Sequence, residues 1–193
     1  EYNSDITVHQ NLVNGVSVID RLNFNDVSSF YGVEYGGGFI FHVNHVNGEI
    51  MVATDYSDIG DVAWGDIFDL DTSHAIGDGD LNTHQIIEGN QNDNSSNGTE
   101  FGSDNYAFKI VDDLSHNGYN DWFIPSSSSM EIIYSNVYSL GLGNFNENLI
   151  YWSSTKEGYF PYVMAFNFES WGGLPFPGSC LDVNGLLIAR KIN

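Results

Sequence analysis

The sequence predicts an α+β domain with few helices, several short strands and long loops. Helical periodicity of apolar residues occurs in only a few short segments, and apolar runs of five to seven residues bounded by turn residues recur along the chain. The 193 residues, 41% of them hydrophobic, suffice for one core. Because no linker or repeat divides the chain, we expect a single domain over residues 1–193.

Turn residues separate the predicted strands of the first third of the chain. Residues 1–35 alternate weakly between apolar and polar, and Asn14-Gly15 is a typical hairpin turn, so N-terminal strands are expected there. An apolar strand follows over Phe39–Val43. Asn47-Gly48 then turns the chain into another strand, Glu49–Thr54.

Helices are predicted in the middle of the chain. Asp80 can cap a short helix that runs to Ile87. Two main helices follow, one over residues 106–114 and one whose capping box joins Ser128 and Glu131. The remaining strands are expected over residues 149–153, 162–168 and 186–192, with a Gly- and Pro-rich loop over residues 169–183.

The charge balance excludes several classes of partner. Lys and Arg number 5 against 26 Asp and Glu, which gives a net charge of −21. Nucleic acid is excluded as the main partner because phosphate binding needs clustered Lys and Arg, and an anionic membrane surface is disfavoured for the same reason. No apolar segment approaches transmembrane length, so we expect no direct membrane insertion.

The acidity itself suggests bound calcium. Between Arg21 and Lys109 there is no cationic Lys or Arg side chain, although carboxylates are dense throughout that segment. Ca²⁺ binds carboxylate, amide and backbone oxygens in Asp- and Asn-rich loops; the alternative is a solvated acidic surface. Cys180 is the only cysteine, which excludes an internal disulfide, and a metal is a common substitute for one.

Three groups of oxygen-bearing side chains are the candidate Ca²⁺ ligands, and each has a simpler alternative. The groups are Asp78, Asp80 and Asn82; Asp55, Asp58 and Asp61; and Glu169, Asp182 and Asn184. The alternatives are helix capping for the first group, turn chemistry for the second and a hairpin turn for the third. The Asn-rich segment 90–104 is a further candidate, and Asx-turns account for much of its composition.

Catalytic motifs are not found in the sequence. The six His residues are scattered, and His42 and His45 would point to opposite faces of a strand. The serine run 126–129 fits a helix start better than a nucleophile, and no Gly-x-Ser-x-Gly elbow is present. We therefore expect a protein that is not an enzyme.

Several segments taken together resemble one protein family. They are Gly37-Gly38-Phe39-Ile40-Phe41-His42-Val43, Trp64-Gly65, Ile76-Gly77-Asp78-Gly79, Gly118-Tyr119-Asn120-Asp121-Trp122-Phe123-Ile124-Pro125-Ser126, Gly141-Leu142-Gly143-Asn144-Phe145, Tyr151-Trp152-Ser153-Ser154-Thr155 and Ala189-Arg190-Lys191-Ile192. Their order and content resemble the bacterial C-type-lectin-like domain of collagen-like adhesins, the Lcl family, over residues 36–193. The segments 121–126 and 151–154 are the most specific.

The resemblance implies a C-type-lectin-like fold, with two main helices, short antiparallel sheets and long calcium-binding loops. It also implies an extracellular recognition role on the bacterial cell surface, without catalysis. With its acidity, the chain looks like the peptide-binding domain of a large RTX adhesin of the ice-binding type. It departs from sugar-binding C-type lectins, because it has no Glu-Pro-Asn or Gln-Pro-Asp loop and Ser153-Ser154 follows Trp152.

The resulting expectation is a monomeric Ca²⁺-dependent adhesion module of a longer chain, which binds short peptide ends of a protein on a host or neighbouring cell. A glycan-binding lectin domain and a calcium-stabilised structural domain are the alternatives. Aromatic side chains are suited to ligand contact because they bury a large area at low entropic cost. The expected ligand contacts are Trp171, Phe176, Tyr159, Tyr162, Ser153 and Asp182.

Overall fold

Helices and short antiparallel sheets alternate along the chain. The structure, a computed structural model, describes residues 1–23, 26–65, 67, 69–92, 105–157, 162–170, 172–180 and 182–193. Within them the helices are α1 (Val8–Val13), α2 (Val18–Leu22), α3 (Gly79–Asn92), α4 (Ala107–Asp112) and α5 (Ser127–Asn136). The strands are β1 (Glu34–Tyr35), β2 (Gly38–Val43), β3 (Ile50–Asp55), β4 (Val62–Ala63), β5 (Tyr151–Lys156), β6 (Tyr162–Phe166), β7 (Pro175–Ser179), β8 (Val183–Asn184) and β9 (Leu187–Ile192).

The strands form three antiparallel sheets, which confirms the predicted α+β class. Their orders are β1-β2-β3-β9, β5-β6-β7 and β4-β8. No helix within the described ranges is long and apolar enough to cross a lipid bilayer.

Apolar clusters cover both faces of the four-stranded sheet, because successive side chains of a strand point to opposite faces. Ile40 and Val52 pack with Leu12 of α1 on one face. On the other face, Phe41 and Met51 belong to a cluster built around α5. The four-stranded sheet is therefore covered by the N-terminal helix on one side and by α5 on the other.

The three-stranded sheet shares the α5 cluster and adds another. Tyr151 and Phe166 face α5, whereas Trp152 and Ala165 face α3 and α4. Trp152 is fully buried, as is expected of a core residue, and its indole N–H donates to the Val62 carbonyl oxygen at 2.8 Å. Helices and sheets are thus layered in alternation: α1, the four-stranded sheet, α5, the three-stranded sheet, and α3 with α4.

The N-terminal region corrects the strands expected within residues 1–35, since it forms α1 and α2 and only the short strand β1. Thr7 and Gln10 form a capping box at α1: the Thr7 hydroxyl accepts from Gln10 N at 3.1 Å, and Gln10 Oε1 accepts from Thr7 N at 2.9 Å. Ser17 caps α2 through Asp20 N at 3.0 Å. These local caps outweigh the weak alternation that predicted a hairpin.

The start of α5 also differs from the expected capping box of Ser128 and Glu131. Helix α5 begins at Ser127, and the buried Ser126 is its N-cap. The Ser126 hydroxyl accepts from Ser129 N and donates to the Ala75 carbonyl oxygen at 2.7 Å. This second bond ties the helix to the segment 72–78, a contact that sequence spacing does not reveal.

Strand β7 lies inside the segment expected to be a loop over residues 169–183. It pairs with β6 in a continuous register from Tyr162↔Ser179 to Phe166↔Pro175. Pro175 and Pro177 are tolerated because β7 is the edge strand of its sheet.

Strand β9, at the end of the described chain, pairs with β3 from its first third. It pairs with β3 over six residues, from Ile50↔Ile192 to Asp55↔Leu187. Arg190 of β9 is buried and donates to both oxygens of Asp121, at 2.6 and 2.8 Å, and to the Gly36 carbonyl oxygen at 3.0 Å. Its guanidinium lies 3.8 Å from the centroid of the Tyr119 ring. These bonds fix the segment before α5 against β9.

The Arg190 contact predicts a pH-dependent contribution from Asp121. Hydrogen bonds from Arg190 hold the pKa of Asp121 below its ordinary value, so its stabilisation is present at neutral pH and is lost as pH falls through that lowered pKa. Asp121→Asn should lower the free energy of unfolding by about 1 kcal/mol at pH 7, since the carboxylate is half exposed. Denaturant unfolding should show this difference shrinking below about pH 4. A difference that is constant down to pH 2 would contradict the assignment.

The two candidate caps of α5 can be separated by mutation. Ser126→Ala removes a buried hydroxyl with two partners and should cost about 1–3 kcal/mol in thermal or denaturant unfolding. Ser128→Ala, the matched control, should change stability by less than about 0.5 kcal/mol. Equal losses in the two variants would show that Ser126 has no special role.

Candidate functional site

Two acidic segments that are far apart in sequence meet at the short β4–β8 ladder. Val62 lies opposite Asn184, and Ala63 lies opposite Val183. The carboxylate and amide residues that flank this ladder are Asp55, Asp58, Asp61, Asp182 and Asn184, and we call them the acidic edge. The ladder therefore places the chain segment of the second predicted ligand group beside the segment that carries Asp182 and Asn184.

Backbone contacts explain why the acidic edge forms. Tyr56 N donates to the Leu186 carbonyl oxygen at 2.9 Å, and Gly185 N donates to the Ile150 carbonyl oxygen at 2.8 Å. Gly60 has a φ of 87°, a left-handed conformation that turns the chain into β4 after a short 3₁₀ helix. Asp58, Asp61 and Asp182 are exposed on this fixed backbone.

Asp55 is the anchored member of the acidic edge. One carboxylate oxygen accepts from the Tyr151 hydroxyl at 2.8 Å and the other accepts from the Ser57 hydroxyl at 2.7 Å. Burial raises the pKa of Tyr151, and the Asp55 carboxylate raises it further, so this hydroxyl stays a donor at neutral pH. Asn144 Oδ1 accepts from Asp55 N at 3.1 Å and fixes the backbone.

The acidic edge offers oxygen ligands only. Carboxylate and amide oxygens suit hard cations such as Ca²⁺ rather than metals that favour imidazole or thiolate ligands. In the part of the chain that the structure describes, no three His, Cys, Asp or Glu side chains form a group that could hold a metal ion. Ca²⁺ also takes amide, carbonyl and water oxygens, so calcium binding stays a prediction.

The side chains of the first predicted ligand group are engaged with other protein groups, and their binding of a metal stays a prediction. Asp80 Oδ2 accepts from Lys191 Nζ at 2.9 Å, whereas Asp78 Oδ2 accepts from the Ser73 hydroxyl at 2.6 Å. Asn82 is fully buried, and its amide bonds both backbone groups of Ser73. Helix α3 begins at Gly79, and residues two apart on a helix point in different directions.

Glu169 has neighbours other than Asp182 and Asn184. It follows β6 and is exposed beside Tyr138. Burial raises the pKa of Tyr138, and the carboxylates of Glu147 and Glu169 raise it further. Glu169 therefore lies with Glu147 near Tyr138 and is not part of the acidic edge.

Among the described residues, the predicted ligand contacts Ser153, Tyr162 and Phe176 do not share one surface. Ser153 is fully buried and its hydroxyl donates to the Met164 carbonyl oxygen at 2.8 Å, so its side chain is not exposed for contact with a ligand in this structure. Tyr162 is exposed, whereas Phe176 packs against the core cluster of α3 and α4. The register of β6 and β7 places these two rings on opposite faces of the sheet. Trp171, Tyr159 and the segment 93–104 lie outside the described residues.

A cleft beside α3 was not anticipated from the sequence. It has a volume of about 470 Å³ and lies between α3, the end of α4, the segment 120–123 and the end of β9. Its charged lining consists of Asp80, Asp112, Asp121 and Lys191, with His84 beside them. We call it the α3 cleft. The spacing of Asp80, Thr83 and His84 on one helix face was the only local signal for it.

A chain of side chains at the start of α5 superficially resembles a nucleophile and its base. The Ser127 hydroxyl lies 2.9 Å from His74 Nδ1, and His74 Nε2 lies 2.6 Å from Glu157 Oε1. Ser127 is buried, its own N–H donates to the Thr155 hydroxyl, and Ser128 N donates to the His74 carbonyl oxygen. The amides that would stabilise an oxyanion are thus engaged, and these contacts fasten the segment 72–78. The absence of catalysis stays a prediction.

No protein-family model matches this chain, and no curated protein matches it. The resemblance to bacterial C-type-lectin-like adhesin domains therefore rests on the sequence motifs alone. Membership of that family remains a prediction.

Proposed function

We propose that this chain is an extracellular, Ca²⁺-dependent ligand-binding module of a bacterial surface adhesin, with a C-type-lectin-like fold, which binds short peptide ends on a target cell. The observation that carries the proposal is the acidic edge, where the β4–β8 ladder joins residues from two distant segments. Local turn chemistry explains each segment separately, but it gives no reason for the two to meet.

The residues of the acidic edge fit a calcium ion chemically. Asp58, Asp61 and Asp182 would supply carboxylate oxygens and Asn184 an amide oxygen, with Asp55 held behind them by Tyr151. A bound Ca²⁺ would supply a coordination position for an oxygen of the ligand. The exposure of the three outer carboxylates leaves room for that ligand at the surface.

The charge of the acidic edge supports a role for metal in binding a peptide carboxylate. Its five side chains include four carboxylates and no cation. At a surface of this sign in a chain of net charge −21, a free carboxylate is repelled. One bound Ca²⁺ reduces the local charge from −4 to −2, and the ion offers a chain-end carboxylate a direct coordination position.

Calcium removal should destabilise the folded protein. Because ions at the acidic edge bind the folded state, EDTA should lower the melting temperature by about 5–10 °C relative to Ca²⁺ at 100 times its Kd. Differential scanning calorimetry measures this shift. Asp61→Asn and Asp182→Asn should reduce the shift, whereas Asp5→Asn, an exposed control of the same charge change, should retain it. An unchanged melting temperature on chelation would show that the acidic edge is a solvated surface that holds no stabilising ion.

Ligand binding should depend on both calcium and a free peptide carboxylate. We expect peptides with free C-termini to bind in Ca²⁺, and to lose most of their signal when the C-terminus is amidated or when EDTA is added. A peptide array probed with the wild type, Asp182→Asn and Asp5→Asn measures these effects. Calcium-dependent binding on a glycan array without peptide binding would instead favour the lectin alternative. Binding unaffected by EDTA would exclude a calcium bridge.

A further inference from the structure

The α3 cleft is a cavity of a size that suits a small polar group. Its volume of about 470 Å³ lies within the range of ordinary ligand sites. Trp122 and Phe123 form the apolar part of its lining and are each 4% exposed. Charged and polar side chains from four segments surround this apolar part. The cleft therefore offers contact to an apolar stem as well as to a charged head.

The carboxylates of the α3 cleft are held in place by cations that stand outside its lining. Arg190 binds both oxygens of Asp121, at 2.6 and 2.8 Å. Lys109 lies 3.5 Å from Asp112 and 2.6 Å from Asp113. Neither cation is among the described residues that line the cleft. Two carboxylates are thus positioned before any ligand arrives, which reduces the entropic cost of binding.

The carboxylates at the cleft outnumber the cations that pair with them by one. Asp80 pairs with Lys191, Asp121 pairs with Arg190, and Asp112 shares Lys109 with Asp113, so four carboxylates meet three cations. Asp112, whose carboxylate lies 3.5 Å from Lys109 Nζ, is the least closely paired of the lining carboxylates. His84 adds a further acceptor: its Nδ1 lies 2.7 Å from the Asp80 carbonyl oxygen, which can only accept. In the neutral ring the proton is then on Nδ1, and Nε2 is an acceptor. The cleft is richer in acceptors than in donors.

We propose that the α3 cleft binds a basic side chain of a peptide, an ammonium or guanidinium group carried on an apolar stem. The head meets Asp112 and Asp121, and the stem lies against Trp122 and Phe123. The inference rests on the proposed function in that peptides are the class of partner. It requires no metal, and so it is a separate subsite from the acidic edge. The strongly acidic chain also steers basic peptides toward its surface.

The test uses peptides whose two ends are blocked, in EDTA and at low salt. Acetyl-Gly-Lys-Gly-amide and its arginine counterpart are compared with the norleucine peptide, which keeps the stem and lacks the charge. Nuclear magnetic resonance titration of the whole chain measures Kd and shows which amides shift. We expect the basic peptides to bind at least about fivefold more tightly, with shifts at Thr83, His84 and Asp121.

Two aspartates provide a matched pair of variants. Asp112→Asn removes a lining carboxylate and should weaken binding of the lysine peptide about fivefold, whereas Asp5→Asn removes the same charge from an exposed position outside the cleft and should have little effect. Equal affinities for lysine and norleucine, or equal losses in the two variants, would overturn the inference. If chain ends bind in a calcium-dependent way but the basic peptides cause no shifts at the cleft, the cleft subsite is refuted and the proposed function is not. Cleft binding without any calcium-dependent peptide binding would support the cleft and refute the proposed function.

Discussion

The six-residue pairing of β9 with β3 is the constraint on which the rest of the structure depends. Alternate residues of β9 contribute to different clusters: Ile188 packs with α3 and α4, and Ala189 packs with α5. Ala189 also exchanges backbone hydrogen bonds with Phe123, both at 2.9 Å, which positions the segment before α5. The acidic edge lies just before this strand and the α3 cleft lies at its far end. One strand therefore positions both candidate sites.

Local signals were sufficient to predict most of the elements and the fold class. The strands on either side of Asn47-Gly48 and the helix over residues 107–112 lie where they were expected, because turn residues and helical spacing act over a few residues. The N-terminal strands were wrong because the capping box of Thr7 and Gln10 is a stronger local signal than weak alternation. The cap of α5 was misplaced because Ser126 is selected by its contact with Ala75.

The candidate sites were predicted less completely because they depend on contacts between distant segments. Acidic loops were recognised at Asp61 and Asp182, but only the register of Val62 with Asn184 brings them together. Asp78, Asp80 and Asn82 would converge on one ion only if their backbone formed a loop, and here α3 begins at Gly79, between the first two of them. The α3 cleft combines four segments, and no local pattern specifies how they meet.

The prolines of β7 restrict strand pairing along one edge of the three-stranded sheet. In an antiparallel strand, alternate residues direct their backbone groups toward the partner strand or away from it. Pro175 and Pro177 are two residues apart in β7, so their backbone nitrogens face the same side of the strand. Neither has an N–H, so the outer edge of the β5-β6-β7 sheet lacks two amide donors. An incoming strand cannot complete a ladder there, which protects the sheet from self-association and excludes strand addition as the recognition mode along this edge.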